Sequence, residues 1–147
     1  MPTDSNIGDP QPKKPFARHL PAIARYLMGL PLLLFGLNAF LNFIPQPKTP
    51  MPAGAADFTG ALMRSGYMMQ LIGTTHLLVA ASLLSNRFVP LGLALFAPFI
   101  VNAMAFHLCL ERTGLPIAAV FMALELYLAW KYRRAFQGML ASRASPA

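Results

Sequence analysis

The sequence predicts an all-α protein, a four-helix transmembrane bundle with a short interfacial helix in the first external loop. Composition is the first reason. Hydrophobic residues make up 56% of the 147 and charged residues only 12%, whereas a soluble domain carries about a quarter charged residues. The second reason is how the charges are spaced. They leave long windows free of Lys, Arg, Asp and Glu at Tyr26 to Pro47, Ser65 to Asn86 and Phe88 to Leu110, and a fourth from Thr113 to Trp130 broken only by Glu125. A helix needs about 20 residues to cross a hydrocarbon layer of about 30 Å; the first three windows meet this and the fourth is short. The third reason is that no window shows the alternation of a membrane strand, and lipid leaves no backbone group unpaired, so only helices serve.

Taken in order, residues 1–20 hold Pro2, Pro10, Pro12 and Pro15 among polar residues and bury too little apolar area to fold alone, which predicts a disordered cytoplasmic tail. The membrane domain then covers residues 21–134, with spans at about 23–44, 65–85, 88–110 and 115–132. Pro31 and Pro98 fall inside spans one and three, where each removes a backbone donor and bends the helix. Pro45, Pro47, Pro50 and Pro52 stiffen the first external loop. In "DFTGALMRSG", Phe58, Ala61 and Leu62 share a helical face, with Asp57 as the expected cap of an interfacial helix. The short connections "SNRF" and "ERTGLP" make spans two, three and four antiparallel neighbours. Residues 135–147 form a second cytoplasmic tail. Lys13, Lys14, Arg18, Arg25, Arg87, Lys131, Arg133, Arg134 and Arg143 flank one side of the spans, against Lys48, Arg64 and Arg112 on the other. The richer side is cytoplasmic.

The net charge of +7 is scattered at the edges of apolar blocks rather than gathered into a stripe, which fits a membrane surface and argues against nucleic acid. Cys109 is the single cysteine, so one chain builds no disulfide, CxxC pair or thiolate zinc site. There is no nucleophile triad, phosphate loop or dinucleotide fingerprint.

Chemistry therefore rests on polar residues within the spans. At about 1.5 Å per residue, His76 lies roughly 14 Å deep and Glu125 roughly 15 Å deep. Each has small neighbours on its own helix, Gly73 and Ala80 for His76, Ala118 and Ala129 for Glu125, so both are expected to face the interior and to hydrogen-bond each other. Two readings stand: a coupled pair that holds or passes a proton, or a bond that only glues two helices. Asn38, Asn42, Gln70 and Asn102 lie in the outer half and form a candidate ligand pocket together with His107. Amide side chains there suit the carbonyl oxygens of a bound quinone, and suit neighbouring helix backbones equally. His107, one turn before Glu111, also reads as an interfacial partner of that carboxylate. His76 and His107 differ in depth by roughly 9 Å, which argues against a haem held between them. Within the spans, no two histidines or carboxylates share a face at metal-ligand spacing.

The segments "FGLNAFLNF" (35–43), "SGYMMQLIG" (65–73), "NRFVPLGL" (86–93) and "APFIVNAMAFHLCLERTGLP" (97–116), in this order and spacing, resemble the DoxX and DoxD-like family of small four-helix membrane proteins over roughly residues 26–132. The resemblance implies a bacterial inner-membrane protein with cytoplasmic termini, in a family where some members serve thiosulfate:quinone oxidoreductase or membrane redox complexes handling thiols. Members often carry glutamate in span two where this chain has His76. Asn38, Asn102 and His107 match the family pattern.

The function expected is an accessory subunit of a membrane redox system with a quinone-binding or proton-handling pocket. Its partners would be the lipid bilayer, a redox enzyme subunit and a second copy of itself, and it has no cofactor motif of its own. A non-enzymatic scaffold or assembly factor is the alternative, with Lys131, Arg133 and Arg134 on anionic lipid or a partner. A small proton-coupled transporter is the third.

Overall fold

The computed structural model describes residues 19–45 and 50–137, and within them every regular element is helical. The order is α1 (Leu20–Leu41), α2 (Ala53–Arg64), α3 (Met68–Ser85), α4 (Val89–Cys109) and α5 (Leu115–Lys131), closed by a 3₁₀ turn at Arg133–Phe136. Most of the N-terminal tail expected over 1–20, and most of the segment 135–147, lie outside the described residues. Helices α1, α3 and α4 are long and apolar enough to cross a membrane. At 17 residues, α5 is the shortest of the long helices, about 25 Å from end to end.

The surface is what a lipid environment selects. Leu27, Leu34, Leu71, Leu78, Leu91, Val101, Ile117 and Leu126 are all exposed, far more apolar surface than water tolerates on a monomer. The inward stripes are narrow: Ala24, Met28, Gly29, Leu32 and Gly36 on α1; Gly73, His76, Val79, Ala80 and Leu83 on α3; Val89, Gly92, Leu93, Phe96 and Ile100 on α4; Ala118, Glu125 and Leu128 on α5. Each stripe recurs at spacings near three, four or seven residues, one face of a helix.

The most extensive helix pair is the antiparallel α1–α3 contact; α4 packs on both α3 and α5, and α5 returns to α1. Glycine sets the α1–α3 distance. A Cβ on Gly36 would stand 3.1 Å from the Gly73 carbonyl oxygen and 2.8 Å from Leu77 Cδ2, while one on Gly73 would collide with Ala39 Cβ. Small residues of this kind let backbones approach where lipid supplies no hydrophobic drive.

Helix ends follow local chemistry. Asn42 and Asn86 close α1 and α3 in the left-handed conformation, at φ 50° and φ 57°, a role asparagine fills better than other non-glycine residues. Asn38 Oδ1 accepts the Ile44 amide at 2.7 Å, so α1 ends on two asparagines. Phe88 also sits at φ 55°, an unfavourable state for an aromatic residue that costs about 1–2 kcal/mol. The expected cap of α2 is corrected: the helix starts after Pro52, and Asp57 lies inside it without capping. The run Ala53, Gly54, Ala55, Ala56 extends the helix by a turn, because small residues allow it to seat against Leu110 of the α4 end. Ala55 is its buried residue, and Phe58 stacks on Phe106 at 5.6 Å. Pro31 and Pro98 lie inside helices that continue through them.

Candidate functional site

At the α2 end of the assembly, beside the α1–α3 contact, lies a cleft of about 510 Å³. Its polar lining comes from Asn38, Asn42, Gln70 and His76, and its apolar walls include Phe35, Met63 and Met69. Asn38 and Asn42 reach it from the last turn of α1, one turn apart, and Gln70 and His76 from the first half of α3. Met63 is supplied by the end of α2, so the short helix contributes to the mouth.

Each polar group can be followed to its partners. Asn38 spends its oxygen on Ile44, which leaves its amide NH₂ as a donor. The Gln70 amide is satisfied with its nitrogen toward the carbonyls of Gly66 and Tyr67, 3.3 Å each, and its oxygen is then an acceptor. Thr74 and Thr75 turn their hydroxyls back to the carbonyls of Gln70 and Leu71, the self-contained habit of helical threonine. His76 is 7% exposed and its Nε2 is buried with no partner. Aromatic rings of α4 hold the imidazole, Phe99 edge-on at 4.4 Å and Phe96 at 6.1 Å.

Behind His76 a second, smaller cavity of about 270 Å³ is walled by Phe35, Phe96, Phe99 and Phe121, with His107 at its rim. Although their depths differ along the helices, His76 and His107 thus border one space. His107 is seven residues on from buried Ile100, two full turns along the same face. Its Nδ1 lies 2.9 Å from the Glu111 carbonyl and 3.2 Å from Glu111 Oε2. Both partners accept, so Nδ1 carries the proton. Glu111 in turn accepts the Thr113 amide at 2.6 Å and the Gly114 amide at 3.1 Å. These bonds, those from Thr113 first, then Gly114 and His107, hold its carboxyl down to about 2. Gly114 is required here because a Cβ would run into the His107 ring.

Two expectations are corrected. Asn102 does not join the pocket: it is exposed, because it follows buried Ile100 by two residues, roughly 200° around α4. The hydrogen bond between His76 and Glu125 is not formed. Glu125 is buried at 5% exposure, yet its Oε2 has no partner. Equal depth did not bring them together, since α3 packs chiefly on α1 and α4, and α5 on α4 and α1, which sets α3 and α5 diagonally. Arg25 was read as a flanking cation. It lies on the inward arc of α1 beside Ala24 and Met28, and its Nε and Nη1 are buried without partners, as is the Tyr127 hydroxyl. Its position between Ala24 and Met28 on the stripe was the available signal. Among the described residues, no group of three or more His, Cys, Asp or Glu is placed to hold a metal ion.

Helices apolar on their outer faces, with unpaired polar groups turned inward, define a membrane-protein class rather than a soluble bundle. No family model and no solved structure matches the chain. It is 30% identical over 132 residues to the uncharacterized protein YwoB of Bacillus subtilis (strain 168), covering 86% of each chain, and it belongs to the same family as that protein.

Proposed function

We propose that this is an integral membrane protein in which α5 joins α1, α3 and α4 as a fourth membrane-crossing helix, and that the cleft between α1 and α3 binds a small ring ligand of the quinone class. Its setting would be a membrane redox system that it serves as an accessory subunit, as the resemblance to the DoxX and DoxD-like family implies. The apolar length of α5, broken only by Glu125 before its terminal Lys131, and its packing on α4 and α1 support the fourth span. Arg25, Arg87, Lys131, Arg133 and Arg134 gather at one end of the helices and Arg64 and Arg112 at the other, which argues for the first end in the cytoplasm of a bacterial inner membrane.

The observation that carries the ligand reading is the cleft: four polar side chains on apolar walls in about 510 Å³, within the range of about 300–1,000 Å³ usual for small-molecule sites. The Asn38 NH₂ and the His76 imidazole, through Nδ1 rather than the sealed Nε2, would donate to carbonyl oxygens, while the Gln70 oxygen would accept a hydroxyl. A bound quinone would supply the two-electron, two-proton chemistry. His76 would hold or pass a proton at the cleft wall, with the Phe99 and Phe96 rings fixing its orientation. Glu125 has no hydrogen-bonded route to His76, so the role falls to His76 alone.

Protein purified from its native membranes should release quinone on organic extraction. His76→Ala and Asn38→Ala should each weaken binding of a soluble short-chain quinone about tenfold, or about 1.4 kcal/mol. An extract free of quinone, together with no binding of the short-chain analogue, overturns the reading.

The scaffold reading has one observation in its favour. Lys131 lies 4.9 Å and Arg133 5.2 Å from the Trp130 ring, and Arg133 Nη1 also donates to the Trp130 carbonyl. This makes a rigid basic and aromatic end suited to an anionic surface. Under that reading Lys131→Ala weakens association with a partner and His76→Ala changes nothing.

A further inference from the structure

We infer that the groove between α3 and α4, at the end where they are joined, binds an anionic glycerophospholipid, with its phosphate on Arg87 and one acyl chain along the groove. This rests on the reading that these helices cross the bilayer. The groove, about 460 Å³, is lined by Leu78 and Ala81 of α3 and by Phe88, Leu91 and Leu95 of α4, with Arg87 at its end. Its floor is closed where the helices touch: a Cβ on Gly92 would stand 2.7 Å from Ser82 Oγ. Small residues on the floor and leucines on the rim make a trough.

The polar atoms of this trough are already used. Ser82 Oγ donates to the Arg87 carbonyl at 2.8 Å and Ser85 Oγ to the Ala81 carbonyl at 2.6 Å. What remains facing outward is hydrocarbon. From Ser85 to Leu78 the trough runs about 10 Å, inside the roughly 15 Å of one leaflet's hydrocarbon, so a single chain from the adjacent leaflet fits along it.

The mouth is charged and unmatched. Arg87 is exposed and, among the described residues, its guanidinium has neither an ion pair nor a hydrogen bond. The acids in the described residues, Asp57, Glu111 and Glu125, are in α2, the α4–α5 turn and α5, not in the α3–α4 turn. Beside Arg87, the ring of Phe88 is 73% exposed and held in the left-handed conformation. A phosphodiester matches guanidinium geometry, and basic sites between cytoplasmic helix ends suit anionic headgroups. A second copy fits poorly, since a two-fold contact through this groove would bring two Arg87 side chains to one level with no acid between them.

The full chain should be released from nanodiscs of equal phosphatidylglycerol and phosphatidylcholine and examined by native mass spectrometry. Phosphatidylglycerol should be retained on the monomer. Arg87→Gln should cut retention about tenfold, Ala81→Phe should do the same by filling the trough with Arg87 intact, and Arg64→Gln, at the opposite end of the helices, should leave it unchanged. Arg87→Gln and Arg64→Gln alter exposed side chains only, so folding does not confound that pair. Equal losses in both, no effect of Ala81→Phe in a folded protein, or a dimer that Ala81→Phe dissociates, would each overturn the inference. Failure of the chain to enter nanodiscs at all would instead strike the membrane reading beneath it.

Discussion

Helices α1 and α3 meet in two different ways within a few residues. At Gly36 and Gly73 their backbones touch, so closely that neither position has space for a methyl group. Two and three residues further along their helices, Asn38 and His76 line a cleft that Gly73 itself borders. The seam is dry and continues into a core of Met28, Leu32, Val79, Leu83, Leu93 and Leu128. The cleft has polar groups with unused hydrogen-bonding capacity. Stability and the cleft are therefore adjacent: contact between small residues holds the helices, and larger polar residues beside it line the opening.

The strongest way to break this contrast is Gly73→Leu. The new side chain meets Ala39 and the Gly36 carbonyl, backbone that cannot swing aside. Overpacking costs about 1–3 kcal/mol where neighbours can shift and more where they cannot, so the expectation is above about 3 kcal/mol and loss of monodisperse protein in detergent. Gly60→Ala meets only the flexible end of Arg64 and should behave as the parent. Normal thermal unfolding of Gly73→Leu would show that the seam does not hold the pair together.

Next in size is truncation in the dry half. Met28 is fully buried, whereas Phe35 is 50% exposed and lines the cleft. Lipid dissolves the removed methylenes about as well as the core does, so only the cavity term remains, about 2 kcal/mol for Met28→Ala. Phe35→Ala should cost less than about 1 kcal/mol. Equal costs in a chemical-denaturant titration in micelles would erase the distinction between the two regions.

Much of the architecture was legible because charge is so sparse: each break between helices coincides with an Arg, a Glu or a proline-rich stretch. The depth of a residue could be counted from these breaks, but its direction around the helix could not. Counting puts Asn102 in the outer half, but the residue faces outward, and it puts His76 and Glu125 at one level on helices that sit diagonally. Asp57 misled because a capping residue signals a helix start only when what precedes it is not helical, and here a run of alanine and glycine is. The Gly29 and Gly36 spacing on α1 was a usable sign of the seam, since two full turns separate them.

A third test changes sign. Replacing His76 with leucine removes a buried nitrogen that has no partner, and such groups cost about 1–3 kcal/mol when left unpaired. His76→Leu should therefore raise stability by about 1 kcal/mol while weakening the proposed binding of a short-chain quinone about tenfold, as for His76→Ala. A functional site retained at the expense of stability behaves this way. If His76→Leu instead lowers the unfolding temperature, the imidazole is a packing element and the cleft loses its proton-handling group.

The smallest effect is expected at the α4–α5 turn, outside both regions, where Glu111 gathers the amides of Thr113 and Gly114 and the His107 imidazole. Its carboxyl is held at about 2, below the ordinary 4.5, first by the hydrogen bonds from Thr113. A group depressed on folding contributes fully above its unfolded value, and the contribution is lost as pH falls through its folded value. The turn should therefore stay intact from neutral pH to about 4.5, weaken progressively below that, and lose the bond near pH 2. The Thr113 and Gly114 amide resonances in micelles report this directly, with a midpoint near 2 in the parent and no titration in Glu111→Gln. A midpoint near 4.5 would mean that the carboxylate is solvated rather than capping the turn, and that the geometry holding His107 over Gly114 comes from ring packing alone.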